Sequence, residues 1–203
     1  MEKYSVFTML LLALWGGFSQ LEFLGPRVFQ LGRPLMSATV AGLIVGNLPM
    51  GLAVGATLEL LALGVYNYGG APIPDYTTGA ILGVAFGHIG GLTPEVAVGL
   101  AVPIAVLAGQ IDILTRVGNA FLIHRADAAA EKGDAKGVER WHLLGMIPWG
   151  LSRFLPIFLG LYFGAEVVQN ISSYIPGWLT AGLKTAGGIL PALGIGMLLV
   201  YLP

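Results

Sequence analysis

Long runs without charged residues alternate with short polar segments along the chain. The runs that contain no Lys, Arg, Asp or Glu are 4–21, 34–58, 76–94, 96–111, 154–165, 167–183 and 185–203. An α-helix needs about 20 consecutive apolar residues to cross the hydrocarbon core of a bilayer. Several runs reach that length only if a neighbouring Gly, Pro or acid lies inside the span. The pattern predicts an all-α, polytopic integral membrane protein.

Helix-breaking residues interrupt many of these segments. Asn47-Leu48-Pro49 divides the run 34–58, and further prolines lie inside later segments at Pro103, Pro148, Pro156 and Pro191. Proline removes a backbone donor and clashes with the preceding turn. Backbone groups freed in this way cannot face lipid. We therefore expect Gly/Pro-broken and re-entrant helices, as in transporters; simple kinks in a helical bundle are the alternative.

Two local patterns add detail. Gly79, Gly83, Gly87 and Gly91 recur every four residues, which predicts a flat helix stripe that another helix can approach closely. The stretch 124–142 holds eight of the 21 charged residues and is predicted to be a solvated loop with a helical start. Six of the ten Lys and Arg fall between residues 116 and 153. The positive-inside rule therefore places this loop in the cytoplasm, either as a docking surface for a soluble partner or as a plain solvated loop.

Composition agrees with a membrane protein and excludes other classes. The 203 residues are 56% hydrophobic and 10% charged, against about 25% charged in soluble domains. This excludes a disordered chain, a nucleic-acid binder and a soluble enzyme. The chain has no Cys, and its three His are not spaced as a metal or catalytic set. We expect no catalytic residues, no metal site and no cofactor in a single domain of this length.

The candidate ligand-binding residues lie between the uncharged runs 34–58 and 76–94. Glu59 is an acid inside an apolar segment, and such residues are functional candidates. On a helix Asn67 would lie within about 80° of Glu59. The Gly- and Pro-rich backbone that follows would return Asp75 to a similar depth. Two carboxylates and an amide can hydrogen-bond the hydroxyl groups of a polyol such as a sugar. The rings of Tyr66, Tyr68 and Tyr76 could stack on the apolar face of the sugar ring.

A structural role for the same residues remains open. Glu59 could be protonated, or paired with Arg27 or Arg33, and only hold helices together. Five polar residues between the first two apolar runs form either an interfacial turn or a segment from which Gln30 reaches the site; they are Gln20, Glu22, Arg27, Gln30 and Arg33. Asp112 and Arg116 have the i,i+4 spacing of an ordinary helix-surface pair.

Several short motifs occur in an order that matches a known family. They are Gln30-Leu31-Gly32-Arg33-Pro34-Leu35, Gly42-Leu43-Ile44-Val45-Gly46-Asn47, Gly55-Ala56-Thr57-Leu58-Glu59-Leu60, Asn67-Tyr68-Gly69-Gly70-Ala71 and Pro74-Asp75. The chain resembles the IIC subunit of the mannose–fructose–sorbose family of bacterial sugar phosphotransferase systems. The block from 30 to 75 is specific, and the rest of the resemblance is mainly hydropathy with Gly and Pro placement.

The resemblance implies a function, a set of partners and a site. A IIC subunit pairs with a IID membrane subunit in a trimer of IIC–IID pairs in the bacterial cytoplasmic membrane. It conducts a hexose-type sugar of the mannose, fructose, sorbose or amino-sugar class. Soluble IIA and IIB proteins phosphorylate the sugar, and IIC itself carries no phosphoryl group. The sugar-contacting positions carry over onto Gln30, Glu59, Asn67 and Asp75.

Two further expectations follow from the resemblance and from its limits. Residues 1–203 would form one IIC-type domain that is shortened or truncated at its C-terminus, since family members continue further. Other functions also remain open: a stand-alone, proton-coupled transporter that uses Glu59 and Asp75, or a membrane partner protein that transports nothing.

Overall fold

The computed structural model describes residues 4–22, 28–65, 73–171 and 176–200, and the regular elements in these ranges are helices. They are α1 (Val6–Leu21), α2 (Pro34–Val45), α3 (Leu48–Gly64), α4 (Tyr76–Ile89), α5 (Pro94–Ala130), α6 (Ala135–Leu159), a π-helical turn (Gly160–Gly164), α7 (Ala165–Ile171) and α8 (Gly177–Leu199). Within the described ranges, three helices are long and apolar enough to cross a membrane: α5, α8 and the continuous helix Ala135–Asn170. The predicted all-α membrane fold is confirmed.

The break predicted at Asn47-Leu48-Pro49 is also confirmed. Helix α2 ends at Gly46, whose positive φ of 78° suits a residue without a side chain. Asn47 then caps α3, because its side-chain oxygen accepts a hydrogen bond from Met50 N at 3.1 Å. Pro49 occupies the first turn of α3, where its missing N–H costs no helical hydrogen bond. The two short helices fold back on each other as a hairpin, because a Cβ added at Gly51 would lie 2.5 Å from Ala38 O and one at Gly55 2.8 Å from Ala38 Cβ.

The other prolines do not break their helices. Pro103 lies inside α5, Pro148 and Pro156 inside α6, and Pro191 inside α8. The expectation of breaks at these four positions is wrong. A proline removes one backbone bond, whereas helices of 23 to 37 residues retain many others. A local departure from α-helical geometry occurs only after α6, at the π-helical turn, among the elements described here.

Helix α4 forms the centre of the molecule. Twelve of its fourteen residues are buried. A Cβ added at Gly79 would lie 2.6 Å from Ala101 O, and one at Gly83 would lie 2.8 Å from Ala101 Cβ. The predicted stripe therefore packs α4 directly against α5. Gly91, its fourth expected member, lies beyond the end of α4 in a turn with φ of 59°.

The hydrophilic stretch 124–142 is a helical hairpin. Helix α5 continues to Ala130 and α6 begins at Ala135, so only a short turn separates them. Gly133 makes the turn with φ of 70°, and the Asp134 carboxylate caps α6 by accepting from Gly137 N at 2.9 Å. The expected helical start is confirmed, whereas the expected loop is wrong, because the chain is non-helical only between Ala130 and Ala135. Ala126 to Lys132 is a good helix-forming stretch, and packing of α5 against α6 extends the helices on both sides.

Candidate functional site

A polar cavity of about 340 Å³ opens where α4 begins. One wall comes from the segment before α2 and from the start of α4, and it includes Arg33, Asp75 and Thr77. A second wall comes from α1, α5 and α6, and it includes Gln20, Asp112 and Trp149. This volume lies within the range of about 300–1,000 Å³ that is typical of small-molecule sites.

Asp75 forms a buried ion pair on the first wall. Its Oδ2 accepts from Arg153 Nε at 2.9 Å, and the two side chains are only 10% and 8% exposed. Asp75 also caps α4, accepting from Thr78 N at 3.3 Å and from Thr78 Oγ1 at 2.6 Å. Arg153 additionally donates to Ser19 Oγ at 3.4 Å. The pair therefore ties the start of α4 to α6 and α1.

Glu59 pairs with Arg33, as the structural reading of the sequence allowed. The guanidinium of Arg33 binds Glu59 Oε1 through Nε and Nη2. Leu35 N donates to Glu59 Oε2 at 3.2 Å, so both carboxylate oxygens are engaged. Arg33 lines the cavity, and so does Ala62, which follows Glu59 by about one turn of α3. Glu59 therefore acts on the cavity through Arg33.

The segment that carries Arg33 is held by backbone contacts from two directions. The Glu22 carboxylate accepts from Phe29 N at 2.9 Å and from Gly32 N at 3.2 Å. Thr77 Oγ1 donates to Gly32 O at 2.5 Å from the start of α4. Gln30 adopts a φ of 54°, which turns the chain so that Arg33 N donates to Gln30 O at 3.0 Å. These bonds fix Arg33 relative to Asp75.

The second wall has hydrogen bonds of its own. Trp149 Nε1 donates to Gln20 O at 3.2 Å, and Gln20 Nε2 donates to Asp112 Oδ1 at 3.4 Å. Asp112 Oδ2 accepts from Arg116 at 2.6 Å, and the Arg116 guanidinium lies 5.6 Å from the Trp149 ring centroid. The helix-surface pair expected at Asp112 and Arg116 is present. Gln20 lies inside α1 and is only 5% exposed, so the interfacial turn expected for it is wrong.

The charges around the cavity balance in pairs. Arg33 faces Glu59, Arg153 faces Asp75 and Arg116 faces Asp112. A cavity whose guanidinium groups are each neutralised by a carboxylate attracts neither an anion nor a cation strongly. It does present charged hydrogen-bonding groups, which form stronger hydrogen bonds than neutral groups. Such a lining fits a neutral ligand with many hydroxyl groups.

The structure brings together some of the predicted site residues. Asp75 lines the cavity, and Glu59 supports it through Arg33. Gln30 is exposed on the same segment as Arg33. Asn67 lies outside the described residues, as do Tyr66 and Tyr68.

Sequence reasoning missed the contributions of α1, α5 and α6 to the cavity. Arg153 was the detectable signal, because a lone Arg between apolar runs requires a carboxylate partner. Gln20 and Trp149 carried no comparable signal. Neither charge nor spacing distinguishes a cavity residue from an ordinary buried one in these positions.

Comparison with known proteins gives consistent results. The model of the family described as "PTS system sorbose-specific iic component" matches residues 6–203. The chain is 33% identical over 172 residues to the sorbose-specific EIIC component of Klebsiella pneumoniae, covering 84% of this chain and 65% of that protein. It is 34% identical over 174 residues to the fructose permease IIC component of Bacillus subtilis, covering 84% and 63%. The mannose-specific EIIC component of Escherichia coli K12 is 30% identical over 84% of this chain and 65% of its own length.

Solved structures share the fold along nearly the whole chain. A structure titled "Structure of membrane protein" superposes with a TM-score of 0.84 at 26% identity. The mannose transporter ManYZ in complex with microcin E492 superposes with a TM-score of 0.73, also at 26% identity. Each comparison covers 98% of this chain and 80% of the matched chain. The chain spans less than two thirds of the length of the curated relatives above.

Proposed function

The chain belongs to the family of sorbose-specific IIC components of the phosphotransferase system, and from that premise we propose that it binds and translocates a hexose-type sugar. In this proposal it acts in the bacterial cytoplasmic membrane, paired with a IID subunit in a trimer of IIC–IID pairs. Soluble IIA and IIB proteins phosphorylate the sugar as it reaches the cytoplasm. The proposal assigns one IIC-type domain to residues 1–203.

The neutral, polar cavity carries this proposal. A pyranose offers hydroxyl groups that both donate and accept, together with an apolar ring face. Arg33 Nε and Nη2 bind Glu59, which leaves Nη1 as the nitrogen that we assign to a sugar oxygen. Asp75 accepts three hydrogen bonds from Thr78 and Arg153, out of about four that a carboxylate can accept. One acceptor position of Asp75 therefore suits a sugar hydroxyl.

The four site residues then take different roles. Asp75 accepts directly from the sugar, whereas Glu59 orients Arg33 and acts as a positioning residue. Gln30 contributes from the turn that precedes Arg33, and Asn67 contributes a donor and an acceptor from the segment after α3. A site of this kind binds the sugar where α2 and α4 begin and α3 ends, at a place where irregular backbone lines a cavity.

The charge balance also supports release of the product. A phosphoryl group carries about −1.5 to −2 charges at neutral pH. The guanidinium groups at the cavity are already paired with carboxylates, so they offer a phosphorylated sugar little compensation. The same cavity would therefore hold the neutral sugar more tightly than its phosphate ester.

Uptake measurements test the site. Cells that lack their own hexose transporters would express the chain together with IID, IIA and IIB subunits, and radiolabelled hexoses would be supplied. We expect Glu59→Gln and Asn67→Ala to abolish uptake while both variants still insert into the membrane. Glu139→Gln, on the exposed face of the hairpin, is the matched control and should transport normally. Normal uptake in both site variants would overturn the assignment.

A proton-coupled transporter is the alternative that this arrangement disfavours. Glu59 and Asp75 are each bound by a guanidinium, that of Arg33 and that of Arg153, which assigns them to ion pairs between helices rather than to a proton relay. Uptake into vesicles driven by a pH gradient alone, without phosphoenolpyruvate or partner subunits, would favour that alternative. Capture of IID without any transport would instead indicate a non-transporting partner.

A further inference from the structure

Gln20 stands out on the second wall of the cavity, the one formed by α1, α5 and α6. It is the penultimate residue of α1, it is 5% exposed, and it lines the cavity. Its main-chain oxygen anchors the Trp149 indole, and its side-chain amide nitrogen donates to Asp112. The amide is thus held in a defined orientation between α5 and α6.

The other end of the same amide is left unsatisfied. Gln20 Oε1 is buried and accepts no hydrogen bond from any residue that the structure describes. An unpaired buried acceptor destabilises the protein by the full desolvation penalty of that group. Exchanging the amide ends would not relieve it, because Asp112 Oδ1 then faces an oxygen instead of a donor. The amide therefore presents an acceptor that the described protein contacts do not use.

We propose that Gln20 is a sugar-binding residue that accepts a hydrogen bond from one hydroxyl of the hexose. This inference rests on the proposed function and extends the site to the second wall. A sugar in the cavity would donate to Gln20 on one side and contact Arg33 and Asp75 on the other. Oε1 is buried, so the bound state requires the Gln20 side chain, which lines the cavity, to turn this oxygen toward the sugar.

The chemistry makes Gln20 a specificity-determining residue. Asp112 holds the amide nitrogen and is itself held by Arg116, so the oxygen end is fixed as an acceptor. A single acceptor in a fixed place forms a hydrogen bond only with a sugar that has a hydroxyl at the matching position. Sites built to hydrogen-bond a particular hydroxyl discriminate against analogues that lack it, because the site's polar group is then left unpaired.

A hydrogen-bond cycle between residue and ligand tests this assignment. The IIC–IID complex would be purified, and binding of a tritiated hexose would be measured in competition with the monodeoxy analogue for each of its hydroxyl groups. We expect one analogue to bind the wild-type complex about tenfold more weakly because it lacks the hydroxyl that donates to Gln20. Gln20→Met, which is similar in volume, should weaken the parent hexose about tenfold and leave the affinity for that one analogue unchanged.

The outcomes separate the inference from the proposed function. Wild-type binding of a hexose, combined with equal weakening of all analogues by Gln20→Met, would show a purely structural role and overturn the inference alone. Unchanged affinity for the parent hexose in Gln20→Met would also overturn it. Failure of the wild-type complex to bind any hexose would reject the proposed function itself. Should Gln20→Met fail to assemble, Gln20→Asn keeps the amide but shortens it, and it should weaken the parent hexose more than the one deoxy analogue; equal weakening of both would contradict the assignment.

Discussion

Replacing Arg153 by methionine perturbs the ion pair that joins the start of α4 to α6. The substitution keeps most of the side-chain volume and removes the guanidinium 2.9 Å from Asp75. Asp75 would then be a carboxylate that is 10% exposed and has lost its counter-charge. The two hydrogen bonds from Thr78 would remain.

The magnitude follows from the burial of both partners. Removing one member of a buried pair costs about 3–5 kcal/mol, because the remaining charge is left uncompensated. The bonds from Thr78 relieve part of this cost, so we expect about 3 kcal/mol. For a chain of this size each kcal/mol lowers the melting temperature by about 2–4 °C, which gives a decrease of about 6–12 °C.

The second partner provides the internal control. Asp75→Asn keeps a good helix cap for α4 and removes the negative charge. The double variant Asp75→Asn/Arg153→Met contains no uncompensated charge, and it should melt closer to the wild type than Arg153→Met alone does. Arg140→Met removes an exposed guanidinium that lies 6.0 Å from the Trp141 ring, and it should change stability by no more than about 0.5 kcal/mol.

Thermal unfolding of the purified complex, followed by tryptophan fluorescence, measures these four variants under one condition. A decrease of less than about 2 °C in Arg153→Met would refute the reasoning. So would a double variant whose loss equals the sum of the two single losses, because independent contributions mean that the two groups do not interact.

Three further predictions concern the supports of the cavity. Gly83→Leu should prevent stable folding, because even a Cβ at this position would lie 2.8 Å from Ala101 Cβ. The control Gly118→Ala, whose Cβ meets nothing within 4 Å, should stabilise the protein by up to about 1 kcal/mol. Correct assembly of Gly83→Leu would contradict the close packing of α4 and α5. Asn47→Ala should lower the free energy of unfolding by about 1 kcal/mol, because it removes the cap of α3, whereas Asn47→Asp should keep the cap and the stability. Melting curves measure both variants, and equal losses of stability would contradict the capping role. Thr77→Val should raise the KM for sugar uptake without blocking membrane insertion, because Gly32 O loses its donor and the segment that carries Arg33 is held less firmly. An unchanged KM would show that this hydrogen bond does not contribute to sugar binding.

Local signals in the sequence predicted the features that depend on nearby residues. Runs without charge predicted the membrane helices because the bilayer penalises charge at every position. The break between α2 and α3 was predictable because Gly46, Asn47 and Pro49 each favour an end or a start of a helix. Pro103 looked similar in the sequence, but it has no cap or glycine beside it, and the helix continues through it.

The candidate site was only partly predictable, because it depends on residues far apart in the chain. Glu59 and Asp75 were identifiable as costly acids in apolar surroundings. Their partners were harder to choose: Arg153 is 78 positions from Asp75, and the Gln20–Asp112 contact spans 92 positions. Such pairs depend on how α1 and α6 pack against α4 and α5, and a single sequence contains no signal for that packing.

A structure of the IIC–IID complex with bound hexose, determined by electron microscopy, tests the central claim most directly. We predict sugar density inside the cavity between the two walls, with one hydroxyl within hydrogen-bonding distance of Asp75 and another facing Gln20. Arg33 should remain paired with Glu59 while it contacts the sugar. Sugar density at a different place, with the cavity empty in a complex that transports the same hexose, would contradict the account.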